Sequence, residues 1–308
     1  MASIIALAAA APLALPNAFL QFVATLTMMY IALAMSWNIM GGLTGYVSLG
    51  HSFFFGVGAY FTGLTAVRFG ISPFVTALAA GLFVAVLAAG IGFVALRVRG
   101  ASFVIVTLAL VYIGGLTAQA WRGLTGGSTG FTVPSPPSTA LGPHLLFYYV
   151  FLALFLVILA LTWWLRRSKF GLGLVAIRED EDKAEMLGIN TMLYKLVAFT
   201  LSATFVGIGG GLYGHWRLIL YPVFVFSIVF GVSMILSSLL GGLRSLWGPA
   251  LGAVLFIPGS YYLLTSYPQV HVLLTGLLLG AVVLVLPDGI IPSVRQRLSR
   301  FGAQEASI

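Results

Sequence analysis

Apolar residues run along this chain in long blocks, and the polar residues collect between them. The blocks predict helices over Ile4–Leu15, Phe19–Met40, His51–Val67, Phe74–Leu96, Phe103–Trp121, His144–Leu165, Leu193–Trp216, Val223–Leu240, Leu246–Thr265 and Val270–Leu286. They are continuous rather than alternating, which favours helices over barrel strands, because a helix satisfies its own backbone groups in lipid. A spanning helix needs about 20 apolar residues, so the first block is too short to cross alone. A chain of 308 residues then has room for roughly eight to ten spans. The opening MASIIALAAAAPLALPNA has a small-residue site but no basic n-region, so it reads as a short uncleaved segment rather than a signal peptide. The expected fold is all-α, polytopic and integral to the membrane, with residues 1–308 forming a single transmembrane domain.

Composition sharpens this picture. The chain is 60% hydrophobic and 7% charged, against about 25% charged in soluble domains, which excludes a soluble protein. Of fifteen Lys and Arg and seven Asp and Glu, the stretch Arg166–Lys195 alone holds six and five. Arg97 and Arg99, this stretch, and the tail Arg295, Arg297 and Arg300 fall on one side of the predicted spans. Positive charge marks that side as cytoplasmic. The net charge of +8 follows from such loops and does not require a nucleic-acid partner. Arg68, Arg122 and Arg217 fall on the other side, where Arg122–Pro143 forms a turn-rich external loop.

Two Gly-rich stretches interrupt the apolar pattern: Gly41–Tyr60 (GGLTGYVSLGHSFFFGVGAY) and Gly241–Gly259 (GGLRSLWGPALGAVLFIPG). Both open with Gly-Gly-Leu, one in each half. Broken segments at corresponding positions point to an internal repeat and a central pathway; glycines in membrane helices also serve close packing, the reading preferred for Gly56 and Gly58.

The chemistry-bearing residues narrow the function mainly by exclusion. No phosphate-binding loop of the form G-x-x-x-x-G-K-[ST] occurs, so this chain does not bind ATP by that means. Acidic residues are absent from the spans except for Asp288 at the end of the last one, so a carrier driven by its own titrating acids is disfavoured. There is no cysteine, and His51, His144, His215 and His271 lie in separate segments without ligand spacing. An enzyme, a metal centre and a resident cofactor are not expected. A standalone secondary carrier or channel remains as the alternative, although no T-V-G-Y-G filter is present. The other course is a permease driven by a partner. Within the central stretch, Arg178–Leu187 is rich in helix formers, has acids in its first turn and is stopped by Gly188. Ala184 and Leu187 share one face and offer a small apolar patch, suited to a groove on a soluble partner. A solvated connector would show the same charge.

Four stretches carry a resemblance: Gly45–Tyr60, Leu124–Gly130 (LTGGSTG), Phe170–Phe199 (FGLGLVAIREDEDKAEMLGINTMLYKLVAF) and Gly241–Ala253 (GGLRSLWGPALGA). The chain resembles the permease subunits of branched-chain amino-acid ABC importers, of the hydrophobic amino-acid uptake type, over nearly its whole length. The resemblance implies a multi-pass protein of the bacterial inner membrane that moves branched-chain amino acids, or small polar solutes such as urea and amides, into the cytoplasm. It implies a second homologous permease subunit, two cytoplasmic ATPase subunits and a periplasmic solute-binding protein. It also implies that residues 166–195 are a cytoplasmic coupling loop, with Arg178, Glu179, Asp180, Glu181, Ala184, Leu187 and Gly188 at the ATPase contact. Asn38, Thr44, Ser48, Gly50 and His51 bring polar groups and a Gly-rich backbone together and are the candidate substrate pathway. Gly126, Gly127 and Gly130 are turn residues and candidates for binding-protein docking. Arg244 departs from the small residue usual in that pattern, and no acid stands near Ser233.

Overall fold

One helix is buried almost all the way round, and the others are arranged about it. In the computed structural model, which describes residues 8–134 and 142–267 with short stretches at 269, 273–274, 276–277, 280 and 289–291, helix α1 spans Ala18–Thr44 and is buried continuously from Thr27 onward. A helix apolar on every side belongs in the centre of a bundle. Around it stand α2 (His51–Phe69), α3 (Pro73–Ala95), α4 (Ala101–Ala120) and α5 (Gly142–Arg167), followed by the short α6 (Lys169–Glu179) and α7 (Glu181–Met186), then α8 (Thr191–Arg217), α9 (Ile228–Gly241) and α10 (Gly248–Ser266). Among the described residues, seven segments are long and apolar enough to cross a membrane. Beside them, α2 is a 19-residue helix packed between α8 and α3. The sequence pattern located all of these, while the block Val270–Leu286 lies largely outside the described residues. The N-terminal segment is tied to α5, where Tyr148 and Tyr149 donate their hydroxyls to the carbonyls of Ala8 and Ala9 at 2.6 and 3.1 Å.

Helix α8 packs along α2 and α3, α9 along α10, and α1 touches α5, α8 and α10. Small residues make the first of these contacts possible. A β-carbon on Gly58 would strike the Gly207 carbonyl, and one on Gly210 would strike that of Phe55, so α2 and α8 meet backbone to backbone. Gly56 lies against the Phe226 ring. Both therefore serve packing.

Two expectations change. The stretch Arg178–Leu187 is not one helix: α6 ends at Glu179, Asp180 is extended (φ −163°, ψ 108°), and its side chain accepts from the Lys183 amide to cap α7. Aspartate competes well for this cap position, so the helix restarts where propensity alone would continue it. The block Val223–Leu240 likewise breaks after a turn at Pro222–Val225, and α9 restarts behind Ser227, whose hydroxyl accepts from the Val229 amide at 3.2 Å.

The two ends of the bundle differ. At one end Arg99 reaches Asp182 at 2.7 Å and Glu181 at 3.4 Å, which puts the Arg97–Arg99 turn and the central loop together as the charge pattern requires. At the other, β1 (Phe131–Thr132) pairs antiparallel with β2 (Ile219–Leu220), and the Val133 amide donates to the Leu218 carbonyl at 2.6 Å. Trp216 donates to His144 Nδ1 at 3.1 Å there, and Arg217 lies over the Phe22 ring at 5.4 Å. The exposed Trp163 beneath Arg167 suits a membrane-interface belt.

Candidate functional site

The central loop folds back on the bundle because its first helix is amphipathic. Leu174 and Ile177 of α6 are buried with Gly171 and Gly173, while Leu172 is exposed. Gly173 accommodates the Tyr194 ring, which stacks on Phe170 at 4.7 Å. Arginines from this region then reach the ends of both Gly-rich stretches. Arg178 donates to the Gly42 carbonyl at 2.9 Å, and Arg166 to the Arg244 carbonyl at 2.8 Å. Arg244 in turn pairs with Glu179 at 3.7 Å. The departure at position 244 thus places a cation against the loop.

Under α7 lies a buried ionic cluster. Lys195 of α8 is 3% exposed and holds Glu181 Oε1 at 2.6 Å. The Tyr46 hydroxyl accepts from Lys195 at 3.1 Å and donates to Glu181 Oε2, and the Lys195 ammonium lies 4.7 Å from the centre of the Tyr46 ring. Tyr46 arrives there because Gly45, at φ +77°, turns the chain left-handed off the end of α1. Burial raises the Glu181 carboxyl, but the hydrogen bonds from Lys195 and Tyr46 and the charges of Lys195 and Arg99 outweigh it, so it is held below the usual carboxylate range. Burial and the neighbouring Glu181 carboxylate push the Tyr46 phenol up. Glu179 and Asp180, on the solvent side, are lowered by Arg178 and Lys183 respectively. A cavity of about 320 Å³ opens beside the cluster, its mixed polar and apolar lining formed by Thr44, Tyr46, Arg99, Phe103, Arg178 and Glu181 among others.

The seven coupling candidates separate by exposure. Leu187 is 80% exposed and Gly188, at φ +85°, ends the helix as expected. Ala184 is 2% exposed, so it faces the bundle and does not share an outward patch with Leu187; the loop's return to the bundle covers it. Met186, at 85% exposure, takes its place beside Leu187. Sequence reasoning missed Met186, Tyr46, Arg99, Arg166 and Lys195. The one local signal was a lysine standing five residues into an apolar helix.

The pathway candidates all lie inside the core apart from the Thr44 edge of that cavity. Asn38 donates to the Leu243 carbonyl at 3.2 Å, joining α1, just ahead of the first Gly-rich stretch, to the second. Thr44 donates to Met40 at 2.6 Å. Trp37 donates to the Ser48 carbonyl at 2.8 Å. Gly50 lies against Thr107. His51 Nε2 meets the Ser202 hydroxyl at 2.7 Å, and that hydroxyl donates to the Ser36 carbonyl. Asn38 Oδ1, Ser48 Oγ and His51 Nδ1 are buried without a hydrogen-bond partner. At the opposite end Gly126, Gly127 and Gly130 all have positive φ, and a side chain at Gly130 would strike the Leu220 carbonyl. Their turn role is therefore structural, and Ser128 and Thr129 are the exposed residues between them.

Residues 19–287 match the family described as branched-chain amino acid transport system / permease component. The high-affinity branched-chain amino acid transport system permease protein LivM of Escherichia coli (strain K12) is 30% identical, over 90% of this chain and 71% of that protein. LivM of Salmonella typhimurium is 30% identical over 92% of this chain and 72% of its own length. LivH of Escherichia coli (strain K12) is 27% identical over 87% of this chain and 92% of its own length. No solved structure matches the chain significantly.

Proposed function

Because the chain belongs to the family of branched-chain amino acid transport system permease components, and is thus a multi-pass permease subunit of an ABC importer rather than an enzyme, we propose that its loop 166–195 is the coupling element docked on a cytoplasmic ATPase. The observation that carries this is the outward pair Met186 and Leu187, at 85% and 80% exposure on a short acidic helix at the charged end of the bundle. Such an apolar anchor beside charges suits a groove on a soluble partner. Glu179, Asp180, Asp182 and Lys183 form its rim, with Gly188 setting the turn after it.

The solutes we propose are branched-chain amino acids, the cargo named for LivM and LivH. Similarity to both proteins over most of this chain supports pairing with a second, homologous permease subunit. Two ATPase subunits and a periplasmic solute-binding protein complete the importer, with Ser128 and Thr129 on the Gly126–Gly130 turn facing the binding protein. The proposed solute path runs past Asn38–His51, where the unpaired Asn38 Oδ1, Ser48 Oγ and His51 Nδ1 offer hydrogen-bonding groups to a zwitterion without holding it by charge. The test is retention of the ATPases by Leu187→Asp in mild detergent, with leucine uptake measured in parallel. Truncating a buried interface anchor costs about 2 kcal/mol or more, so this variant is expected to lose the ATPases, whereas Asp182→Ala at the rim keeps them. Full retention and uptake by Leu187→Asp would reduce the loop to a solvated connector.

A further inference from the structure

The buried cluster beneath α7 is distinct from the face that α7 turns outward. Glu181 belongs to α7, Lys195 to the first turns of α8, and Tyr46 to the connection between α1 and α2. Three elements therefore converge on two hydrogen-bonded charges. Lys195 is 3% exposed and the Glu181 side chain 10%, so water screens the attraction between them less than at an exposed pair, with Glu181 bordering the cavity on its other side. The tyrosine hydroxyl uses both of its roles there, accepting from Lys195 and donating to Glu181, and so has no freedom to turn away. Gly45, immediately before it, is packed against the Arg178 side chain. Arg178 grips Gly42 on the last turn of α1.

We propose that Glu181, Lys195 and Tyr46 form a rigid strut that carries displacement of α7 into the Gly45–Gly50 connection, and so act as positioning residues for transport rather than for docking. This rests on the reading of α7 as the ATPase contact. None of the three presents a side chain to the outward Met186–Leu187 face: the lysine is enclosed, and the carboxylate points to it. A displacement of α7 cannot leave Tyr46 behind without breaking the hydrogen bond that its hydroxyl donates to Glu181, and cannot leave Lys195 behind without separating the ion pair. The connection that Tyr46 heads leads directly to Ser48, Gly50 and His51, the proposed solute path.

The experiment uses the assembled importer with its ATPases, second permease and binding protein in proteoliposomes. Leucine is the probe, and both leucine uptake and ATP hydrolysis are followed. Lys195→Met is expected to keep its ATPases while the leucine moved per ATP falls by about fivefold or more, the scale of typical coupling energies. Lys195→Arg, which preserves the charge, should restore the ratio, and Tyr46→Phe should lower it by a smaller factor. Where Lys195→Met fails to assemble, Tyr46→Phe and Lys195→Arg carry the test. A ratio like that of the unmodified importer in both Lys195→Met and Tyr46→Phe, or in Tyr46→Phe alone where Lys195→Met does not assemble, overturns the strut. Loss of the ATPases in step with uptake also overturns it, by assigning the pair to docking. If the unmodified chain itself fails to retain ATPases, the reading of α7 falls and takes the strut with it.

Discussion

The chain opens two stretches with Gly-Gly-Leu, at Gly41 and at Gly241, and the central loop grips them unequally. At the first, α1 stays helical through Thr44, Gly45 turns the chain, and Tyr46 is locked between Glu181 and Lys195. At the second, α9 stops at Gly241 and the grip is the Arg166 hydrogen bond to the Arg244 carbonyl with an exposed Arg244–Glu179 pair, 69% and 57% accessible. Similar residues thus give one dry attachment and one wet one. Electrostatic contacts gain strength and fixed geometry as water is removed, so the strut proposed above reaches the first stretch, and the exposed pair at the second is the weaker tie to the loop. The second is held instead by backbone contact, since side chains at Gly241 and Gly252 would strike the carbonyls of Gly248 and Ser237.

Breaking the dry attachment should have the largest effect. Lys195→Met leaves Glu181 enclosed, with the Tyr46 hydroxyl and the half-exposed Arg99 as its remaining partners, and removing one partner of a buried pair costs up to roughly 3–5 kcal/mol. Early proteolysis within 166–195 of the solubilised protein would register it. Next comes Gly252→Val, which forces α9 and α10 apart; overpacking of this kind costs about 1–3 kcal/mol, expected as a lower melting temperature with the Glu181–Lys195 attachment intact. Arg244→Ala should change stability by less than about 1 kcal/mol, within error in the same melting assay. Should Arg244→Ala prove as damaging as Lys195→Met, the two attachments would not differ as described.

Acid offers a milder way to sharpen the comparison. Glu181 has its carboxyl lowered in the folded chain, so its contribution is fully present at neutral pH. It shrinks as pH falls below the unfolded carboxylate value of about 4.3, and is gone below the lowered folded value. Protease resistance of the loop should therefore be flat from neutral pH to about pH 5 and decline beneath it. A decline beginning near pH 6 to 7 would point to a histidine instead.

How much of this was legible follows from the range of each signal. Spans were readable because apolar blocks are local and lipid demands them. The break at Asp180 was encoded nearby, as an aspartate followed by Glu181 and Asp182 in a new first turn, but the dense helix formers on both sides concealed it. Ala184 and Leu187 lie three residues apart, close enough in phase to suggest one face; only the return of the loop to the bundle separates them. The Tyr46–Lys195 contact joins residues 149 positions apart, and no periodicity reaches that far. Among the pathway candidates, residue type marked the buried polar positions, while the distant partners of His51 and Asn38, Ser202 and Leu243, came from elsewhere in the chain.

The most direct test of the central claim is cross-linking from α7. The chain has no cysteine, so Leu187→Cys and Ser128→Cys each place one thiol, at opposite ends of the bundle. In membranes carrying the assembled importer, a short thiol-to-amine cross-linker should join Leu187→Cys to an ATPase subunit and leave Ser128→Cys unlinked to it. No ATPase product from Leu187→Cys, or one from Ser128→Cys instead, would contradict the account.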